Sequence, residues 1–325
     1  MLNAVRIVLG FVLAALLAAP DVVLSQTYPN RPVRVIMPIT PGTGIDAAAR
    51  RASDEMLPTF GQPLVVENRP GANFIIGADV CAHAPPDGYT FCILTGDNVS
   101  LNPLVFTKLP YDADRDFRPV TNLYFLVEGI LVKASLPVNS IKELQALAAS
   151  KPGSLNWGTL GPATTTDIAR MWVGELWNTQ FVGIPYKGGN LIISALAAGE
   201  IDVGRIGVYN GLGLIKAGKV KVLALGSSKR SPVMPNVPTN AEVGLSDMPG
   251  RGWWGVFAPA GTPDAMVRRF NSELLRVFRE PKFVEWIESQ MSEIAVSSPE
   301  EFAAFVKADR ERAAQVVKRF NIPKQ

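Results

Sequence analysis

Short apolar runs alternate with amphipathic stretches along most of this chain. The run at 34–37, Arg-Val-Ile-Met, reads as a strand buried on both faces. It ends in a segment rich in turn formers, Pro38-Ile39-Thr40-Pro41-Gly42-Thr43-Gly44. From Asp46 onward, Ala47, Ala48, Ala49, Ala52 and Met56 predict a helix. Strand, glycine-bearing loop and helix recur around 64–67 and 91–94, the rhythm of an α/β unit with a parallel sheet. A second series places strands at 129–132, 155–157, 181–184 and 220–225. Helices are expected between them at 141–149, 166–177 and 191–198, the first with Ser140 as N-cap and Glu143 completing a capping box. Thr262-Pro263 and Ser298-Pro299 predict capped starts, each with a first-turn proline, for helices at 266–278 and 302–320. Between the two series and the C-terminal helices, Gly252-Trp253-Trp254-Gly255-Val256-Phe257 reads as a strand.

Length and composition narrow the class. A chain of 325 residues, 47% hydrophobic and 19% charged, can bury a large core and is expected to divide into two domains. The formal net charge of +3 is small and scattered, so no nucleic-acid track is expected. Met1 to Arg6 supplies a short basic region, and the apolar run 7–17 follows it. That is the pattern of a secretory signal and falls short of the roughly 20 apolar residues that span a bilayer. Residues 1–25 are therefore expected to be a signal peptide, cut near Val23-Leu24-Ser25 or near Ala18-Ala19, which leaves the mature chain free in the periplasm.

The chemistry-bearing residues are sparse. His83 is the only histidine, so no Ser-His-Asp or Cys-His arrangement is supported and zinc sites built on His and Cys pairs are excluded by count. Gly42-Thr43-Gly44 lacks the Gly-Lys-Ser/Thr ending of a P-loop and the third glycine of a dinucleotide fingerprint. No enzyme activity, no metal and no cofactor are expected. Cys81 and Cys92 stand either as a disulfide, which an oxidising compartment permits, or as two buried thiols.

One series of short motifs goes further. Val65-Val66-Glu67-Asn68-Arg69-Pro70-Gly71, Gly77-Ala78 and Pro86-Asp87-Gly88-Tyr89 are followed by Asn102-Pro103, Leu109-Pro110-Tyr111-Asp112 and Lys151-Pro152-Gly153. Pro185-Tyr186-Lys187-Gly188, Ala198-Gly199-Glu200-Ile201-Asp202-Val203 and Phe257-Ala258-Pro259-Ala260-Gly261-Thr262-Pro263 complete it. In this order and spacing the chain closely resembles the substrate-binding proteins of tripartite tricarboxylate transporters, the Bug receptors, over nearly all its mature length. The resemblance implies a two-lobed periplasmic binding protein fold (a Venus flytrap), each lobe a mostly parallel sheet flanked by helices, with two crossing segments. One lobe is expected from 26–126 plus 246–325 and the other from 127–245.

It also implies a ligand carboxylate between the lobes, held by backbone amides, hydroxyls and water. On the first lobe the expected donors are Ile39, Thr40, Gly42, Thr43 and Gly44 at a helix start, which favours an anion. Asp46 is expected to cap that helix or orient the loop, and Thr95, Gly96 and Asp97 to form the neighbouring wall. Across the cleft stand Thr159, Gly161, Thr164, Thr165 and Thr166, with Trp157 beside them. Trp253, Trp254 and Tyr209 are further wall candidates. Arg205 departs from the family pattern, which often has an aromatic and an aspartate where Arg205 and Ile206 stand. The arginine either forks onto a second ligand carboxylate or points outward from a strand end.

The expected function is capture of a small organic mono- or dicarboxylate, an aromatic body being one option, for membrane permease subunits of a tripartite transporter. A monomer is expected. The alternative is a periplasmic carboxylate sensor feeding a membrane signalling kinase, which the same fold and cleft would serve.

Overall fold

The apolar run at the start forms β1 (Val33–Met37), buried at four of its five positions, and the alanine-rich stretch forms α1 (Gly44–Phe60). The computed structural model describes residues 28–325; the expected signal segment, 1–25, lies outside the described residues. The same alternation gives β2 (Leu64–Asn68), α2 (Ile75–Ala82) and β3 (Thr90–Thr95). After a π-helical turn at Asp97–Leu101 and a short helix, α3 (Asn102–Val105), comes β4 (Phe117–Leu126).

The chain then changes sheet at Val127. β5 (Glu128–Lys133), α4 (Ile141–Ser150), β6 (Asn156–Thr159), α5 (Thr165–Leu176), β7 (Val182–Pro185), α6 (Gly189–Ala198), β8 (Val203–Gly207), α7 (Leu212–Lys216) and β9 (Val220–Leu225) build a second α/β unit. It returns through β10 (Trp253–Pro259), α8 (Asp264–Phe278), α9 (Pro281–Ser289), β11 (Ser292–Ile294) and α10 (Pro299–Arg319). Strand order is β11-β4-β10-β3-β1-β2 in the first sheet and β7-β6-β8-β5-β9 in the second.

Four of six strands in the first sheet and four of five in the second run the same way; β10, β11 and β5 run against them. The reason is topological. β5 and β10 each enter their sheet from the other lobe, at the edge where the parallel strands end, so each must run away from the junction. Both are nearly or fully buried, β10 at all seven positions, as strands covered by helices on two faces should be.

Helices cover both faces of the first sheet. α1, α8 and α9 enclose a core with Met56, Phe91, Phe270 and Phe278, where the Phe91 and Phe270 rings stack at 3.9 Å between centroids. On the opposite face, Phe257, Phe302 and Val306 pack with Cys81 and Cys92. The two sulfurs are bonded, with the Cα atoms 6.1 Å apart, so the bridge ties α2 to β3. The second lobe has its own core, centred on Trp157, Trp172 and Trp177 on one face and Ile192, Ile193 and Leu196 on the other.

Helix starts follow the expected chemistry in part. Ser298 and Glu301 form a reciprocal capping box at α10. Ser140 accepts from the Glu143 amide, but the Glu143 carboxylate reaches the Asn139 N–H and not its own cap. Thr262 does not cap α8: that helix starts one residue after Pro263, and the Thr262 hydroxyl donates to the Pro259 carbonyl at 2.7 Å.

Candidate functional site between the lobes

Loops that end the parallel strands of both sheets face each other. On the first lobe, Gly42 takes a left-handed φ of 80° and its N–H donates to Asp46 Oδ2 at 3.1 Å. Asp46 is buried and also accepts from Arg50 and Asn68. Burial alone would raise its pKa; the hydrogen bonds from Arg50, the Gly42 amide and Asn68 outweigh that and hold the carboxyl below its ordinary range. Asp46 thus fixes the loop in ionised form, its oxygens taken by Gly42, Arg50 and Asn68. Thr43 precedes α1 without capping it; its hydroxyl donates back to the Thr40 carbonyl at 3.3 Å.

The facing group on the second lobe is the start of α6, where Gly188 is an uncapped N-cap. A Cβ on Gly188 would fall 2.5 Å from Thr40 Oγ1, and one on Gly44 would fall 2.4 Å from the Tyr209 ring. Glycine at these two places is what lets the lobes approach. The Thr40 hydroxyl donates across the cleft to Asn190 Oδ1 at 3.1 Å. Two helix N-termini from opposite lobes, neither with a side-chain cap, therefore converge on one pocket, and each carries unpaired amides and the positive end of a helix dipole. Thr43, Gly44, Gly189, Tyr209 and Asn210 line it, with Ile39, Leu160, Ile206 and Trp254 as apolar walls. Asn210 Oδ1 is buried there without a partner. The space is about 50 Å³, well below the ~300–1,000 Å³ of a metabolite pocket.

A polar seam closes the middle of the interface. Ala72, Asn73 and Phe74 in succession adopt left-handed φ values of 47°, 50° and 67°, a backbone cost of roughly 1–2 kcal/mol each. Buried Asn98 and Asn102 hold this strained turn by donating to the Phe74 and Asn73 carbonyls, both at 2.9 Å. Asn73 in turn donates across to the Pro162 carbonyl at 2.9 Å. Nearby, Asp97 accepts from the Thr165 amide at 2.9 Å and the Thr165 hydroxyl at 3.1 Å, so a first-lobe carboxylate sits on the N-terminus of α5. Burial raises its pKa to about 6, with Glu128 and Asp309 adding repulsion against the lowering effect of Thr165.

Other expected site residues fall elsewhere. Thr159, Thr164 and Thr166 spend their hydroxyls within their own loop, on the Gly161 amide, the Gly161 carbonyl and the Leu160 amide. Trp157 is fully buried in the second-lobe core, its ring 5.1 Å from that of Phe181, and does not wall the cleft. Thr95 and Gly96 line, with Thr165, a separate cavity on the other face of the lobe junction.

Of the two alternatives for Arg205, the outward-pointing one is corrected. The residue is 4% exposed, so it does not point outward from the strand end, and its guanidinium is engaged within the protein. Nη2 donates to Glu128 Oε2 at 2.6 Å and to the Gly250 carbonyl, and Nη1 donates to the Pro249 carbonyl at 3.2 Å. It clamps both crossing segments to β8.

Gly189, Tyr124 and Asn210, which line the pocket, and Asn190, which pairs with Thr40 across it, are not among the residues expected from sequence. The signal for Gly189 and Asn190 was present in the Gly-Gly pair after Pro185-Tyr186-Lys187, a glycine-rich helix start like the one at Gly44.

Comparison with known proteins agrees with this architecture. Residues 48–322 match the family described as tripartite tricarboxylate transporter family receptor. The UPF0065 protein in the tcbD-tcbE intergenic region of Pseudomonas sp. (strain P51) is 32% identical over 318 residues, covering 98% of this chain and 94% of that one. The structure of Rpa4515 from R. palustris with adipate superposes with a TM-score of 0.87 at 28% identity, covering 92% of this chain and 100% of that one. MatC from Rhodopseudomonas palustris with bound malate gives 0.82 at 29% identity, over 89% of this chain and 100% of that one. The chain is a member of the tripartite tricarboxylate transporter receptor family.

Proposed function

We propose that this chain is a periplasmic receptor that closes its two lobes on a small organic mono- or dicarboxylate and passes it to membrane permease subunits. One observation carries the reading: the uncapped N-termini of α1 and α6 meet at one pocket from opposite lobes. A carboxylate placed there accepts from the amides of both and is drawn by both dipoles, so it favours the closed arrangement over the open one. The apolar walls Ile39, Leu160 and Trp254 suit the carbon body of such an acid. The relatives solved with adipate and malate support a dicarboxylate in this chain also.

Thermal unfolding against a panel of adipate, malate, succinate and acetate, with glucose as a control, tests this. Ligand at a hundred times its dissociation constant adds roughly 2.7 kcal/mol of stability. A raised midpoint with at least one acid and none with glucose is expected; no shift with any acid overturns the reading.

A further inference from the structure

The second cavity at the lobe junction lies outside the pocket just described. It measures about 550 Å³, within the range that holds small metabolites. The two pockets take opposite faces of the crossing strands: Tyr124, Leu126 and Trp254 face the small one, Phe125 and Trp253 the large one. Its walls are aromatic. Phe125, Trp253 and Phe305 come from the first lobe and α10, with Phe305 5.5 Å from Phe125 and 5.4 Å from Trp253 between ring centroids. Trp172 on α5 and Phe320 after α10 complete the cage.

Two features give this cage a polar end. Ser100 is 1% exposed and lines the cavity, yet its hydroxyl has no partner. At the rim stand Arg251, Arg312 and Arg319. Arg312 and Arg319 are held only loosely by Asp309 and Glu175, at 3.4 and 3.6 Å, and are more than half exposed. Rings on the walls, a free hydroxyl inside and guanidinium groups in the lining, Arg251 over the Phe125 ring at 4.2 Å and paired with Glu293, suit a flat apolar body ending in one carboxylate.

We propose that this cavity is a second binding site, selective for small aromatic monocarboxylates. Its lining includes Thr165, Ile168 and Trp172 from the second lobe and the crossing residues 246–252, so its shape depends on the angle between the lobes. An occupant here and a dicarboxylate in the first pocket must therefore alter each other's affinity reciprocally without excluding one another.

Calorimetric titration of the protein with benzoate, alone and saturated with adipate, provides the test. Benzoate is expected to bind in both cases. Ala313→Phe, which fills the cavity, should weaken benzoate at least tenfold, and the exposed-site change Arg319→Ala at least threefold, with circular dichroism confirming that both variants fold. Absence of benzoate binding overturns the proposal, as does strict competition with adipate combined with indifference to both variants. If benzoate binds by this pattern while none of adipate, malate, succinate and acetate binds, the present proposal stands and the carboxylate-transport reading of the first pocket fails.

Discussion

Arg205 and Glu128 meet at the lobe junction, Nη2 to Oε2 at 2.6 Å, with both side chains only 5% exposed. The pair joins β8 to the first residue of β5, and the same guanidinium holds the carbonyls of Pro249 and Gly250 on the second crossing. Removing the cation leaves a buried carboxylate without its partner. Arg205→Ala is expected to cost about 3–5 kcal/mol in urea unfolding, with Arg205→Ala/Glu128→Gln recovering part of the loss. Unchanged stability with a selective loss of dicarboxylate affinity would restore Arg205 to the ligand site.

Asp97 makes stability depend on pH. Its folded pKa of about 6 lies above the ordinary 3.8, so the folded protein holds the proton longer than the unfolded chain does. The contribution is complete below about 3.8 and is lost as pH rises through about 6, an effect on the order of 3 kcal/mol at most. Asp97→Asn should flatten this limb of the stability curve between pH 4 and 6. A wild-type-like slope in the variant would assign the dependence to other carboxyls.

Gly44→Ala tests the close approach of the lobes. The added methyl lies 2.4 Å from the Tyr209 ring, whereas alanine within a helix start is itself tolerated or favoured. Adipate affinity should fall at least tenfold in calorimetry while the melting midpoint of the free protein moves little. Tyr209→Ala in the same chain should restore part of the affinity. Equal affinity for Gly44→Ala and the parent would mean that closure does not bring these residues together.

The Cys81–Cys92 bridge closes a short loop, with a sequence separation of 11. Loop-closure entropy for that length is worth about 3 kcal/mol. Cys81→Ala/Cys92→Ala should lower stability by that order with the ligand affinity retained, because the bridge lies behind β3 in the first-lobe core. A variant with full stability would argue that the two sulfurs contribute only as packed apolar groups.

Parallel strands such as β1 and β3 and their following helices were legible because burial on two faces leaves apolar runs; β8, with two glycines and an arginine in five residues, was not among the expected strands. Nor was β4. Its sequence mixes polar residues with Pro119, and that proline is accommodated where the pairing with β10 shifts register beside Phe257. On the first loop, glycines before a helix drew attention to Ile39, Thr43 and Gly44, which line the small pocket between the lobes. The threonines at 159–166 were ambiguous in sequence because hydroxyl groups near a helix start serve turns and caps as readily as ligands, and here Thr159, Thr164 and Thr166 bond within their own loop. Arg205 and Trp157 could not be placed because a strand alternates faces and its phase is set by the neighbouring strands. The partner of Arg205, Glu128, lies 77 residues away in the chain, beyond any local pattern.

The most direct measurement is a crystal structure of this protein grown with adipate. One carboxylate of the acid should lie about 3 Å from the backbone amides at the starts of both α1 and α6, near Gly44 and Gly189. Adipate bound on one lobe alone, or seated only in the aromatic cavity across the junction, would contradict capture by converging helix starts.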